Sequence, residues 1–151
     1  MSGMTIQEFC DRHGACSECR DWALSNCENM SDFWATAKAD WLVWGATRPG
    51  VLTDRELRLF AVWSARQVQH LMTDLRSLAA LDVAERYANG GATDDELAAA
   101  RAAALGAAWD AARDAAWDAA RAAAWDAARA AQSNWLRSNT APNFDSKEEG
   151  R

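Results

Sequence analysis

The chain of 151 residues is long enough for one domain with a core of its own. Half of it is apolar, but 35 residues are alanine, which buries little surface apiece, and two prolines with eight glycines are too few for a disordered or collagen-like chain. A formal net charge of -6 argues against sequence-independent nucleic-acid binding, which needs a basic surface facing the phosphates, and no uncharged apolar run approaches the length of a spanning helix.

Residues Met1 to Cys10 lack a basic segment followed by an apolar one, so a secretory signal is not expected there and a cytoplasmic location is. Helix starts and stops are unusually readable. Thr5 with Glu8, Thr53 with Glu56 and Thr93 with Glu96 have capping-box spacing, and Ser31 with Asp32 is a weaker start. Gly14, the run from Gly45 to Pro49-Gly50, and Asn89-Gly90-Gly91 mark stops. Together these signals predict helices at about 6–13, 16–27, 32–45, 54–71, 75–89 and 94–137. Leu57, Phe60, Ala61, Ser64, Val68 and Leu71 recur at three and four, and Leu75, Leu78, Leu81, Val83 and Tyr87 give a second wide stripe. No segment alternates with period two. The expected fold is an all-α, single-domain bundle of about six helices over residues 1–141, ending in one long Ala/Trp-rich helix, with a flexible tail over 142–151.

All four cysteines fall in the first 27 residues: Cys10, Cys16, Cys19 and Cys27, with His13 among them. Three readings stand: buried free thiols, a structural zinc drawn from Cys10, His13, Cys16, Cys19 and Cys27, or a redox pair at the Cys16-x2-Cys19 element. Against zinc, there is one close cysteine doublet where structural sites usually pair two. No other cofactor is expected. Trp34, Trp41 and Trp44 are spaced to share one face of the third predicted helix, with Arg48 just beyond. That face is either a core stripe or an aromatic patch for a partner.

The last helix is the odd element, with 22 alanines between Ala92 and Ala131. As one rod of 40 residues it would be roughly 60 Å long, with Gly106 able to bend it. Within it the unit Trp-Asp-Ala-Ala-Arg repeats at Trp109 to Arg113, Trp117 to Arg121 and Trp125 to Arg129. A period of eight advances each Trp by about 80° beyond two full turns, so the three spiral and do not form a heptad seam. The helix is either structural, with Trp filling wide gaps, or it presents Trp109, Arg113, Trp117, Arg121, Trp125 and Arg129 to a partner, since Trp and Arg dominate interface hot spots. Elsewhere there is no phosphate-binding glycine loop, nucleophile elbow or zinc-protease helix motif. His70 reads as a capping or surface residue, and Asp94-Asp95 as a helix start favoured by the dipole. No catalytic residue is expected.

His13-Gly14-Ala15-Cys16 with Trp22, then Ala39-Asp40-Trp41-Leu42-Val43-Trp44, then Ala84-Glu85-Arg86-Tyr87-Ala88-Asn89-Gly90 leading into Ala92-Thr93-Asp94-Asp95-Glu96-Leu97, resemble a family of alanine-rich bacterial immunity proteins. The resemblance spans roughly residues 13 to 136, and the Ala/Trp/Asp/Arg repeats belong to it. Cys10, Cys19 and Cys27 are additional to the family pattern. The resemblance implies a non-enzymatic inhibitor that neutralises a toxin by occlusion. Alternatives are a phage or mobile-element anti-defence protein that inhibits a host defence nuclease, a homo-oligomeric scaffold or homodimer, and a structural-zinc regulator. The expected partner is another protein, with no direct contact to nucleic acid or membrane.

Overall fold

A computed structural model describes the backbone of residues 3–111 and 118–145, and the side chains of 3–104 and 127–145. The described residues are all-α: α1 (Ile6–His13), α2 (Ser17–Asn26), α3 (Met30–Thr36), α4 (Ala39–Ala46), α5 (Asp54–Arg66), a 3-10 turn (Gln69–Leu71), α6 (Leu75–Ala88), α7 (Asp94–Ala111) and α8 (Asp118–Asn139). No helix among them is long and apolar enough to cross a membrane. Eight helices lie among the described residues where about six are expected, the added break being the one inside 32–45; residues 112–117, which the single rod over 94–137 would include, lie outside the described residues. The chain groups into two compact units where one helical domain is expected: Met1–Thr53 with Arg129–Arg151, and Asp54–Ala128.

Local chemistry explains the helix starts in the first unit. Thr5 Oγ1 accepts from the Glu8 backbone N–H at 3.2 Å, and the Glu8 carboxylate accepts from the Thr5 N–H at 2.7 Å, closing the expected capping box. Gly14 ends α1 at φ 66°, a left-handed conformation that costs glycine nothing. Asn29 caps α3 by accepting from the Asp32 N–H at 3.0 Å, so the start lies two residues before the predicted Ser31.

The largest departure is at residues 37 and 38. The predicted helix 32–45 is two helices, because Ala37 and Lys38 are extended (ψ 145° and 156°). The guanidinium of Arg137 supplies the reason: it donates from Nε to the Trp34 carbonyl at 2.8 Å and from a terminal nitrogen to the Ala37 carbonyl at 2.7 Å. Those two acceptors would serve residues 38 and 41 in an unbroken helix. Gly45 lets α4 approach closely, since a Cβ there would stand 3.2 Å from the Phe33 ring. Phe9, Leu42 and Leu136 are the most completely buried large side chains, with Ile6, Met30, Phe33, Val43, Val51 and Leu52 around them. Each such burial contributes about 1.5–3 kcal/mol.

Residues 142–145 of the expected flexible tail make contacts with the first unit. The Asn143 N–H donates to the Val51 carbonyl at 2.7 Å, Phe144 meets the Phe9 ring edge-on at 5.6 Å, and Asp145 accepts from the Met4 N–H at 2.7 Å. An aromatic side chain with a pocket to fill holds a segment that composition alone marks as loose. The remaining tail, 146–151, lies outside the described residues.

In the second unit α5 stops at Arg66, five residues before the predicted end, and tightens through the Val68 N–H to Ala65 carbonyl bond. Beyond that point the three-and-four spacing no longer describes one face. Val68 and Leu71 are therefore exposed, and Leu75, the first residue of α6, is 78% exposed. Phe60, Val62, Ala88 and Leu97 are the buried apolar side chains among this unit's described residues. Arg66 ties α5 to α6 through Asp82 at 2.9 Å and Glu85 at 2.6 Å. Asp74 caps α6 and bonds Arg76, which lowers its carboxyl to about 2. The Thr93–Glu96 box opens α7 as expected.

Both boxes carry a pH dependence. Hydrogen bonds from Thr5 and Thr93, the backbone N–H first in each case, hold the Glu8 and Glu96 carboxyls below the ordinary 4.5. The unfolded chain then binds more protons between the folded value and 4.5, so the boxes' contribution is complete above that value and is lost as pH falls below it. The denaturation midpoint should drop across this acid window, and Glu8→Gln should flatten the drop. An unchanged slope in Glu8→Gln would show that the box is not formed.

Candidate functional site

The three tryptophans expected on one helix face diverge, because the break at residues 37 and 38 turns α4 away from α3's register. Trp34 is buried and meets Phe144 at 5.9 Å, which makes it core. Trp44, half-buried, packs edge-on against Phe9 at 6.0 Å, while the Arg48 guanidinium lies over its ring at 5.2 Å and donates from Nε to its carbonyl at 3.0 Å. Trp41, also half-buried, takes a different neighbour: Trp22 from α2, at 5.3 Å and 44°. Lys38 Nζ sits 3.9 Å from the centre of the Trp41 ring and 3.5 Å from Glu18.

A mixed surface results, in which Trp22 and Trp41 lie side by side, capped by Lys38 and edged by Glu18. Cation–π contact and aromatic packing hold the rings in one arrangement. Such a surface loses little side-chain entropy when another protein covers it. Of its members, Trp41 belongs to the patch expected from sequence, and Trp22 and Lys38 do not. The three-residue step from Lys38 to Trp41 was a usable signal; nothing in the spacing brings α2 beside α4. Comparison of the chain with protein-family models, with curated proteins and with solved structures returns no match.

Trp109, Arg113, Trp117, Arg121 and Trp125 lie outside the residues whose side chains are described. Arg129 is described and half-buried; it faces Asp40 at 3.6 Å and donates to Gln132 at 3.2 Å, so it serves contacts within its own unit.

Cys10, His13, Cys16, Cys19 and Cys27 do not form a group that could hold a metal ion: among the described residues no cluster of three or more His, Cys, Asp or Glu does. Cys10 and Cys19 are buried, Cys16 is exposed, and the half-buried Cys27 lies 3.8 Å from Thr36 Oγ1. His13 packs against Phe9 at 4.6 Å with the rings tilted by 54°; burial first, then Arg48 and Arg12, hold its pKa below the usual histidine value. The ring is committed to packing.

The second unit has an open groove of about 670 Å³ between α5, α6 and α7, lined by Leu57, Val62, Leu81, Ala84 and Leu97 with Arg58 and Arg101 among them. Arg58 lies over the Tyr87 ring at 4.5 Å, and the Tyr87 hydroxyl donates to Asp94 at 2.6 Å. His70 is exposed on the 3-10 turn.

Proposed function

We propose that this protein is a non-enzymatic binding protein of the immunity type, which neutralises a toxin by covering it. The observation that carries the reading is the half-buried Trp22–Trp41 pair capped by Lys38. Aromatic residues next to a cation are the composition of interface hot spots, where a few side chains carry most of the affinity. The resemblance to alanine-rich bacterial immunity proteins agrees with that reading. The protein acts in the cytoplasm, without a cofactor. Continuity of the helix over 94–137, and partner binding by Trp109, Arg113, Trp117, Arg121 and Trp125, belong to the same proposal.

Affinity capture from lysates of the native host and of its competitors, read by quantitative mass spectrometry, tests it. The wild-type chain should retain one protein at stoichiometric level. Trp41→Ala combined with Lys38→Glu should lose that protein at least tenfold, about 1.4 kcal/mol or more, with helicity by circular dichroism unchanged. A toxin as the captured protein supports immunity, and a defence nuclease moves the same physics to the anti-defence role. Equal retention by the folded variant, or recovery of only the chain's own copies, would overturn the proposal; the second result points to a homo-oligomeric scaffold.

A further inference from the structure

The four thiols occupy unlike environments, and two of them are arranged as a working pair. Cys16 is the N-cap of the ten-residue helix α2 and is exposed, and its Sγ accepts the backbone N–H of Cys19 at 3.4 Å. Cys19 is the third residue of that helix, with its side chain buried at 2% exposure. Residues three apart on a helix have Cβ atoms about 5–6 Å apart, and a disulfide needs about 3.5–4.5 Å. Cys16 is extended, not helical (φ -63°, ψ 153°), which turns its sulfur back over the first turn toward Cys19. Closing the remaining gap takes a rotation at the helix end, where the chain is least constrained.

We propose that Cys16 and Cys19 form a redox-active dithiol, with Cys16 the attacking sulfur, Cys19 the resolving one, and a low-molecular-weight disulfide of the glutathione class as oxidant. Deprotonated Cys16 attacks one sulfur of the external disulfide; that S–S bond breaks, and the first external thiol leaves with a proton. Deprotonated Cys19 then attacks Cys16 Sγ, the mixed disulfide breaks, and the second external thiol leaves with the second proton. Two protein thiols are oxidised and one external disulfide is reduced to two thiols. Order follows from access, since Cys16 faces solvent and Cys19 does not. Burial pushes the Cys19 thiol up to about 11, and raises Cys10 as well, so neither competes for the first attack. Forming the bond draws Cys19 Sγ out of its buried seat, so oxidation loosens the first turn of α2.

The full-length chain is equilibrated in buffers of graded glutathione to glutathione-disulfide ratio, quenched in acid, alkylated and digested with trypsin. Arg12 and Arg20 bracket both thiols, so the pair falls in one peptide, residues 13–20, while Cys10 and Cys27 fall in the peptides on either side. The expected result is loss of two alkylation sites in a single transition, with residues 13–20 lighter by two hydrogens. Cys19→Ser should stop at one glutathione on Cys16. The proposal fails if all four thiols stay alkylatable, if the bridge joins peptides through Cys10 or Cys27, or if the wild-type chain halts at the glutathione adduct. The wild-type map decides the matter even where a variant does not fold.

Discussion

Phe9→Ala is expected to cost the first unit about 3–5 kcal/mol, the range for emptying a buried aromatic site. Phe9 is 2% exposed and stands at the meeting point of three rings: His13 at 4.6 Å, Phe144 at 5.6 Å and Trp44 at 6.0 Å. Domains of this size are stable by only about 5–15 kcal/mol, so the loss is a large fraction of the whole. Equilibrium unfolding in urea, followed by tryptophan fluorescence, measures it. The variant also removes one of the two rings against which Phe144 packs, the other being Trp34 at 5.9 Å, and so loosens the segment that reaches Val51 and Met4. Phe144→Ala should therefore cost less in the Phe9→Ala background than alone, by roughly 0.5–1.5 kcal/mol for an edge-on aromatic pair. Strict additivity would mean that the two rings are not coupled.

Arg137→Met should cost about 3 kcal/mol. Methionine keeps an apolar stem of similar reach and removes the fork that donates to the Trp34 and Ala37 carbonyls. Hydrogen bonds from a charged donor are worth about 1.5–3 kcal/mol each, and a buried carbonyl left without its donor costs its desolvation. Arg137→Lys should recover about half the loss, because an ammonium lacks the planar fork that serves two acceptors at fixed separation. A Lys variant as stable as wild type would show that charge alone, without the fork, satisfies the break between α3 and α4. Loss below about 1 kcal/mol in the Met variant would show that water replaces the guanidinium.

The same arginine explains why part of the fold could not be read from sequence. Ala37 and Lys38 are ordinary helix residues, and Trp34, Trp41 and Trp44 have a spacing that suits one continuous helix. The break is imposed from α8, about a hundred residues away, and it decides which tryptophan becomes core and which stays half-buried. Val68 and Leu71 leave the core for the complementary reason. Their spacing is helical only while α5 continues, and it ends at Arg66, whose guanidinium is held by Asp82 and Glu85.

The cysteine cluster divides in the same way. Sequence placed Cys10, Cys16, Cys19 and Cys27 together and left three chemistries open. Burial of Cys10 and Cys19, with Cys16 exposed at a helix cap, separated the four thiols by environment. What the sequence by itself determined was the all-α class and the helix ends whose signals are complete within a few residues: Thr5 with Glu8, Gly14, and Thr93 with Glu96. Capping is decided between neighbours three positions apart, so the letters suffice. Tertiary structure alone decided the split of α3 from α4, the anchoring of Phe144 and the pairing of Trp22 with Trp41. Each depends on a side chain from a distant part of the chain, and no local pattern encodes where that side chain arrives.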